Sequence, residues 1–159
     1  MKTLCVTTVP IALSRSLFQQ ILDDRCSDRA VCELVWERLG YEPSTTDHDA
    51  WLPGPSLPAE WLEAFPQPPQ IIAERPASVR LTRSIPKEHK QLLKQQLGFK
   101  GYKIGGLYPR RTRRATAVSW LLAWLAVHSE ALADQGPLLP ELPPPLEPVQ
   151  GHPGDRPVA

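Results

Sequence analysis

Apolar residues recur at helical spacing in four stretches of the chain, and capping residues mark where each stretch begins or ends. Leu17, Phe18, Ile21 and Leu22 share one face of a helix predicted from about Ser14 to Arg25. A second is predicted from a Ser27 N-cap to Leu39, with Val31, Leu34, Val35 and Leu39 inward and Gly40 as its left-handed stop. A third starts with Pro86 in its first position behind Ser84, turns Leu92, Leu93 and Leu97 inward, and ends at Gly98. The last runs from Pro109 to about Asp134 and is closed by Gly136. It is apolar nearly all round: Val118, Leu121, Leu122 and Leu125 form one stripe, Trp120, Trp124 and Val127 another. Such a helix belongs at the centre, covered on several sides. Ser78 to Thr82 alternates at period two and reads as a strand, with Tyr102 to Leu107 as its expected partner. The expected fold is mainly α, a compact bundle of four to five helices around a central C-terminal helix, with at most one small β-hairpin.

Proline divides the chain further. There are 19 in 159 residues, about 12% against a usual 5% or so. Eight fall in residues 137–159, where each removes a backbone donor and fixes φ, which excludes helix and sheet. A disordered or polyproline-II tail is expected there, with Pro140 and Pro143 at the spacing of a PxxP ligand. Seven more lie in residues 42–69, read as an extended connector that packs Trp51 and Trp61 onto the body, with a short helix over Ala59 to Phe65. The organisation is thus an N-terminal segment 1–13, one helical domain 14–136 containing that connector, and the tail 137–159.

Compartment and membrane follow from what is sparse. Cys5, Cys26 and Cys32 are too few, and odd in number, for a disulfide framework. They read as small core residues in a reducing, cytoplasmic setting. The longest apolar run, Ala115 to Val127, falls short of the roughly 20 residues a spanning helix needs. Met1 to Leu13 is mildly apolar but interrupted by Pro10, with no clear cleavage site, so no secretory signal and no membrane insertion are expected.

Charge changes the picture most. The whole chain carries a formal +1, which offers no reason to expect a polyanion. Yet residues 74–114 hold twelve basic side chains against only Glu74 and Glu88, and the remainder is correspondingly acidic. Lys87, Lys90 and Lys94 fall on one face of the predicted third helix, where like charges repel by a few tenths of a kcal/mol per pair. Arg110, Arg111, Arg113 and Arg114 crowd the start of the last helix, whose dipole disfavours each exposed cation by about 0.3–1 kcal/mol. Something anionic must lie nearby. Three sources compete: the chain's own Asp23, Asp24, Asp28, Glu33 and Glu37; a polyanion; or the acidic surface of another protein.

For a polyanion, the phosphate contacts would come from Arg83, Lys87, Lys90, Lys94, Lys100, Lys103, Arg110, Arg111, Arg113 and Arg114. Phe99, Tyr102 and Tyr108, interleaved with these cations, would stack on bases. Gly98-Phe99-Lys100-Gly101 has the GxxG pattern of a backbone clamp, but Tyr102 to Tyr108 separates it from the next helix. Gly101 and Gly106 share the glycine spacing of a P-loop, but Leu107 and Tyr108 stand where Lys and Ser/Thr would be needed. No HExxH, GxSxG or strand–helix GxGxxG occurs, and the four histidines are scattered. Asp47-His48-Asp49 groups acids around an imidazole, but in a proline-rich connector it reads as a solvated turn. No catalytic residue, metal site or cofactor is expected.

Four stretches resemble an uncharacterised conserved domain family of cyanobacteria with relatives in plastid-bearing organisms. They are Leu81 to Pro86, Lys90 to Leu93, Leu97 to Ile104 and Pro109 to Ala117. Val31 to Tyr41 is similar to that family's N-terminal part, and the resemblance covers roughly residues 14–128. It carries no established activity. It implies a photosynthetic lineage and accessory roles such as complex assembly or RNA handling. The expectation is a non-enzymatic binding protein whose basic face engages a polyanion, RNA before DNA. The alternative is a protein–protein assembly factor that docks an acidic partner through the same face.

Overall fold

The computed structural model describes residues 11–47 and 49–159. Cys5, Pro10 and His48 lie outside the described residues.

Two helices form as their caps dictate. α1 (Arg15–Leu22) starts where the Ser14 hydroxyl accepts from the Leu17 amide at 3.1 Å. α2 (Asp28–Leu39) starts where Ser27 accepts from the Ala30 amide at 3.1 Å. It stops at Gly40, whose φ of 122° only glycine adopts freely. The connector follows. β1 (Tyr41–Pro43) pairs antiparallel with β2 (Trp51–Pro53), and α3 (Ala59–Ala64) carries Trp61. The indoles pack onto the body as expected: Trp51 and Trp61 are buried, and Trp36 lies 5.6 Å from Trp51 while donating to the Pro69 carbonyl at 2.7 Å.

The hairpin is real but sits in the connector, not where period-two alternation placed it. Ser78 to Thr82 belongs to α4 (Arg75–Ser84). Ala77, Ser78, Leu81 and Ile85 recur at three- and four-residue steps and are all buried, and Pro76 occupies the first turn. The helical period therefore wins over an alternation only five residues long. The expected partner, Tyr102 to Leu107, is a loop holding a 3-10 turn at Ile104–Gly106.

The third predicted helix is broken. Lys87–His89 is a 3-10 turn, and only α5 (Leu92–Leu97) is α-helical, ending at a left-handed Gly98. Leu92, Leu93 and Leu97 draw just that last stretch onto the core. The break also keeps the three lysines from stacking on one helix face.

α6 (Pro109–Val127) is central, with α1, α2, α4 and α5 packed around it. It ends earlier than predicted. Ser129 turns left-handed at φ 54°, and the Glu130 amide donates back to Leu125 at 2.9 Å, which closes the helix in a Schellman-type turn. The following segment turns back to α1, where Ala133 and Asp134 accept from the Arg15 and Ser16 amides.

Residues 137–159 form no helix or extended strand, as their prolines require. Several of them nevertheless bond to the body, although most of their side chains stay exposed. Gln20 holds Leu139 at both ends, donating to its carbonyl and accepting from its amide at 2.9 Å each. The Leu142 amide donates to Arg25 at 3.0 Å, and the Ala159 amide donates to Ala73 at 2.7 Å. Prolines remove only their own donors, so the residues between them still bond. No helix among the described residues is long and apolar enough to cross a membrane.

Candidate functional site

The four arginines at the start of α6 take different directions. Arg110 and Arg114, one turn apart, point inward and are fully buried. Arg110 reaches both Asp24 carboxylate oxygens at 2.6 and 2.7 Å and donates through Nε to Asp28 at 2.9 Å. Arg114 donates to Asp28 at 2.7 Å, to the Ile21 carbonyl at 3.2 Å and to Cys26 Sγ at 3.1 Å. These two are therefore removed from the polyanion contacts the sequence suggests. The chain's own acids, Asp24 and Asp28, neutralise them.

The tail adds a third carboxylate. Asp155 lies 3.4 Å from Arg110 and accepts from the Asp28 amide at 3.1 Å, at the N-terminus of α2. Gly151, at φ 92°, lets the tail close here: a Cβ would stand 2.5 Å from Arg110 Nε. His152 is buried beside it, with Nε2 donating to Pro143 at 3.0 Å and Nδ1 facing Arg110 at 3.4 Å. Burial opposes the charge on Asp24, but the Arg110 hydrogen bond and the Arg114 charge outweigh it and hold its carboxyl below the usual range. Burial pushes Asp28 up, and Asp155 adds to that. Burial likewise raises both Cys26 and Cys32, the latter to about 12, so neither thiol is poised to react.

Arg111 and Arg113 are half-buried and tied down. Arg111 sits 3.5 Å from Asp24 and 5.5 Å from the Tyr108 ring centroid. Arg113 donates to the carbonyls of Ile72, Ala73 and Ala159. Of the stacking residues, Phe99 and Tyr102 form an edge-on pair 5.0 Å apart against the core. The Tyr102 hydroxyl donates to Leu22 at 2.8 Å, and burial raises that phenol to about 12. These two rings are not free platforms for bases. Tyr108 is half-exposed and bonded to Gly105.

Arg83, Lys87, Lys90, Lys94, Lys100 and Lys103 remain exposed along the flank from the end of α4 to the loop before α6. None makes an ion pair among the described residues. Two large apolar side chains stand in the open in the loop that carries Lys100 and Lys103, Ile104 at 93% exposure and Leu107 at 55%. Sequence reasoning missed a second feature of this side, a groove between α3 and α4 bordered by three arginines. No group of three His, Cys, Asp or Glu side chains among the described residues is placed to hold a metal ion.

Fold and site together define a small helical domain with an internal arginine–aspartate lock and an unneutralised basic flank. Residues 12–126 match the model of a domain of unknown function, DUF1823, and the chain belongs to that family. It is also similar to a protein whose solution NMR structure is known, with 42% identity and a TM-score of 0.63 over 77% of this chain and all of the other. No curated protein matches the chain. The tail that supplies Asp155 and His152 lies beyond the family match.

Proposed function

We propose that the chain is a non-enzymatic binding protein that docks an acidic protein surface. The contact is made by Arg83, Lys87, Lys90, Lys94, Lys100 and Lys103. The carrying observation is that none of these cations makes an ion pair among the described residues, while Ile104 and Leu107 stand exposed in the same loop as Lys100 and Lys103. Exposed cations on the same surface as bare apolar side chains suit a protein partner, where rim charges steer and apolar contacts hold. RNA is the second choice here, because two of the three aromatic rings that base stacking requires are packed inward. A cytoplasmic setting in a photosynthetic lineage is part of the same proposal.

Affinity capture from lysate before and after nuclease tests it. The expected result is a set of acidic proteins that survives nuclease and is lost when Lys87, Lys90 and Lys94 are changed to Glu. A capture emptied by nuclease, or one indifferent to that charge reversal, overturns it.

A further inference from the structure

α3 and α4 stand side by side around a groove with a cavity of about 560 Å³, within the range of sites that hold a ligand or a peptide anchor. The α3 wall is aromatic: Trp61 and Phe65 lie 5.7 Å apart, centroid to centroid. The α4 wall is mixed, because Ala77, Ser78 and Leu81 face the core and turn the opposite face outward. That outer face presents Val79 between Arg75, Arg80 and Arg83. Arg80 is anchored, its guanidinium 5.8 Å over the Trp61 ring and donating to the Glu60 carbonyl at 3.2 Å. Arg75 and Arg83 have no carboxylate partner among the described residues. Against three guanidiniums the groove offers one carboxylate, Glu60.

The spacing of the arginines indicates the kind of anion. Arg75 and Arg83 are eight residues apart, about 12 Å along a helix at roughly 1.5 Å per residue. Rooted that far apart on one helix face, they suit charges spread along a chain better than a single phosphate. They match carboxylates repeated along about four residues of extended chain, at roughly 3.3 Å each. The apolar walls between them match a large side chain carried on that same segment. Arg83 also begins the lysine flank, so a segment seated in the groove continues onto it.

We propose that this groove binds an acidic peptide segment of the partner protein by an aromatic or leucine anchor. The anchor lies against Trp61, Phe65 and Val79, and flanking carboxylates meet Arg75 and Arg83. The inference rests on the acidic-partner reading and assigns it an anchoring site. Arg and aromatic side chains at such a position are the usual carriers of interface specificity.

Fluorescence anisotropy with two labelled peptides, Glu-Glu-Leu-Glu-Phe-Glu-Glu and heptaglutamate, tests it in dilute salt with the full chain. The anchored peptide is expected to bind about tenfold tighter, which is one apolar side chain's worth of burial. Val79→Glu, at a half-exposed position, is expected to abolish that preference with the circular dichroism unchanged. Arg75→Glu with Arg83→Glu is expected to weaken the anchored peptide at least tenfold. Equal affinities for the two peptides, or a preference that survives Val79→Glu, overturn the groove and leave docking by the lysine flank standing. Failure of both peptides to bind overturns the groove and the acidic-partner reading together.

Discussion

Arg110 and Arg114 sit among four arginines of one type, and their burial follows from position alone. Carried back by one turn and then two, the stripe of Val118, Leu121, Leu122 and Leu125 reaches Arg114 and then Arg110. Both were therefore bound to point inward. The expected excess of positive charge at a dipole's positive end signalled an anion, and Asp24 and Asp28 were among the candidates. What no pattern revealed was that Asp24 would adopt φ 61° at the end of α1, a conformation Asp tolerates, and so turn its carboxylate to Arg110. Breaking such a buried pair leaves a charge uncompensated, so Arg114→Met is expected to cost about 3–5 kcal/mol. Arg83→Met, on the exposed flank, should fall within about 0.5 kcal/mol. Urea unfolding of the two variants checks the contrast. The same lock predicts a pH effect. Because Asp24's carboxyl is held below its unfolded value, its stabilisation is full above roughly pH 4 and disappears as pH falls through the folded value. The stability gap between wild type and Asp24→Asn should therefore be widest near pH 6 and close progressively below pH 4. A gap that is constant with pH would show that Asp24 acts by shape rather than charge.

Elements were legible where a cap and a period agreed. Ser14, Ser27 and Gly40 bound α1 and α2 within a few residues, because hydrogen bonds between neighbours in sequence decide those ends. α4 and α5 were harder. Val79 and Leu81 suggested a strand, but the packing of Ala77, Ser78 and Leu81 against α6 and the Trp120–Ser84 hydrogen bond at 3.0 Å are tertiary effects that a short window cannot contain. The broken third helix has the same origin, since only the leucines after Gln91 meet the core. The connector hairpin depends on the turn after α2. A Cβ on Gly40 would lie 2.7 Å from the backbone of Leu57, and its φ of 122° disfavours any side chain. Gly40→Ala should thus lower stability by about 2 kcal/mol or more, from backbone strain and the clash together. Differential scanning calorimetry should record the loss as a fall of several degrees in Tm. Ser27→Ala, which removes a single cap bond, should cost about 1 kcal/mol.

At the scale of the molecule, the tail is where composition said least about contacts. Eight prolines excluded regular structure, and none forms, but they did not exclude docking. The docking residues follow no period: Leu139 bonds Gln20, while His152 and Asp155 meet Arg110 and the Asp28 amide. The lock itself is balanced without the tail, two arginines against two aspartates. Asp155 adds a third carboxylate, with His152 buried beside it. The tail is thus attached through a few polar contacts and one buried leucine, Leu139, whereas α6 is held by a whole apolar core. Segments of that kind open locally at far lower free energy than the fold unfolds. Asp155→Asn keeps the side chain's size and weakens its bonds to Arg110 and the Asp28 amide. Hydrogen exchange should then quicken several-fold at the Asp28 and Ala159 amides. It should stay unchanged at Leu121 and Leu122 in α6, and Leu139, held separately by Gln20, should change little. Faster exchange throughout α6 would mean instead that the tail carboxylate belongs to the cooperative core, and that domain and tail unfold as one.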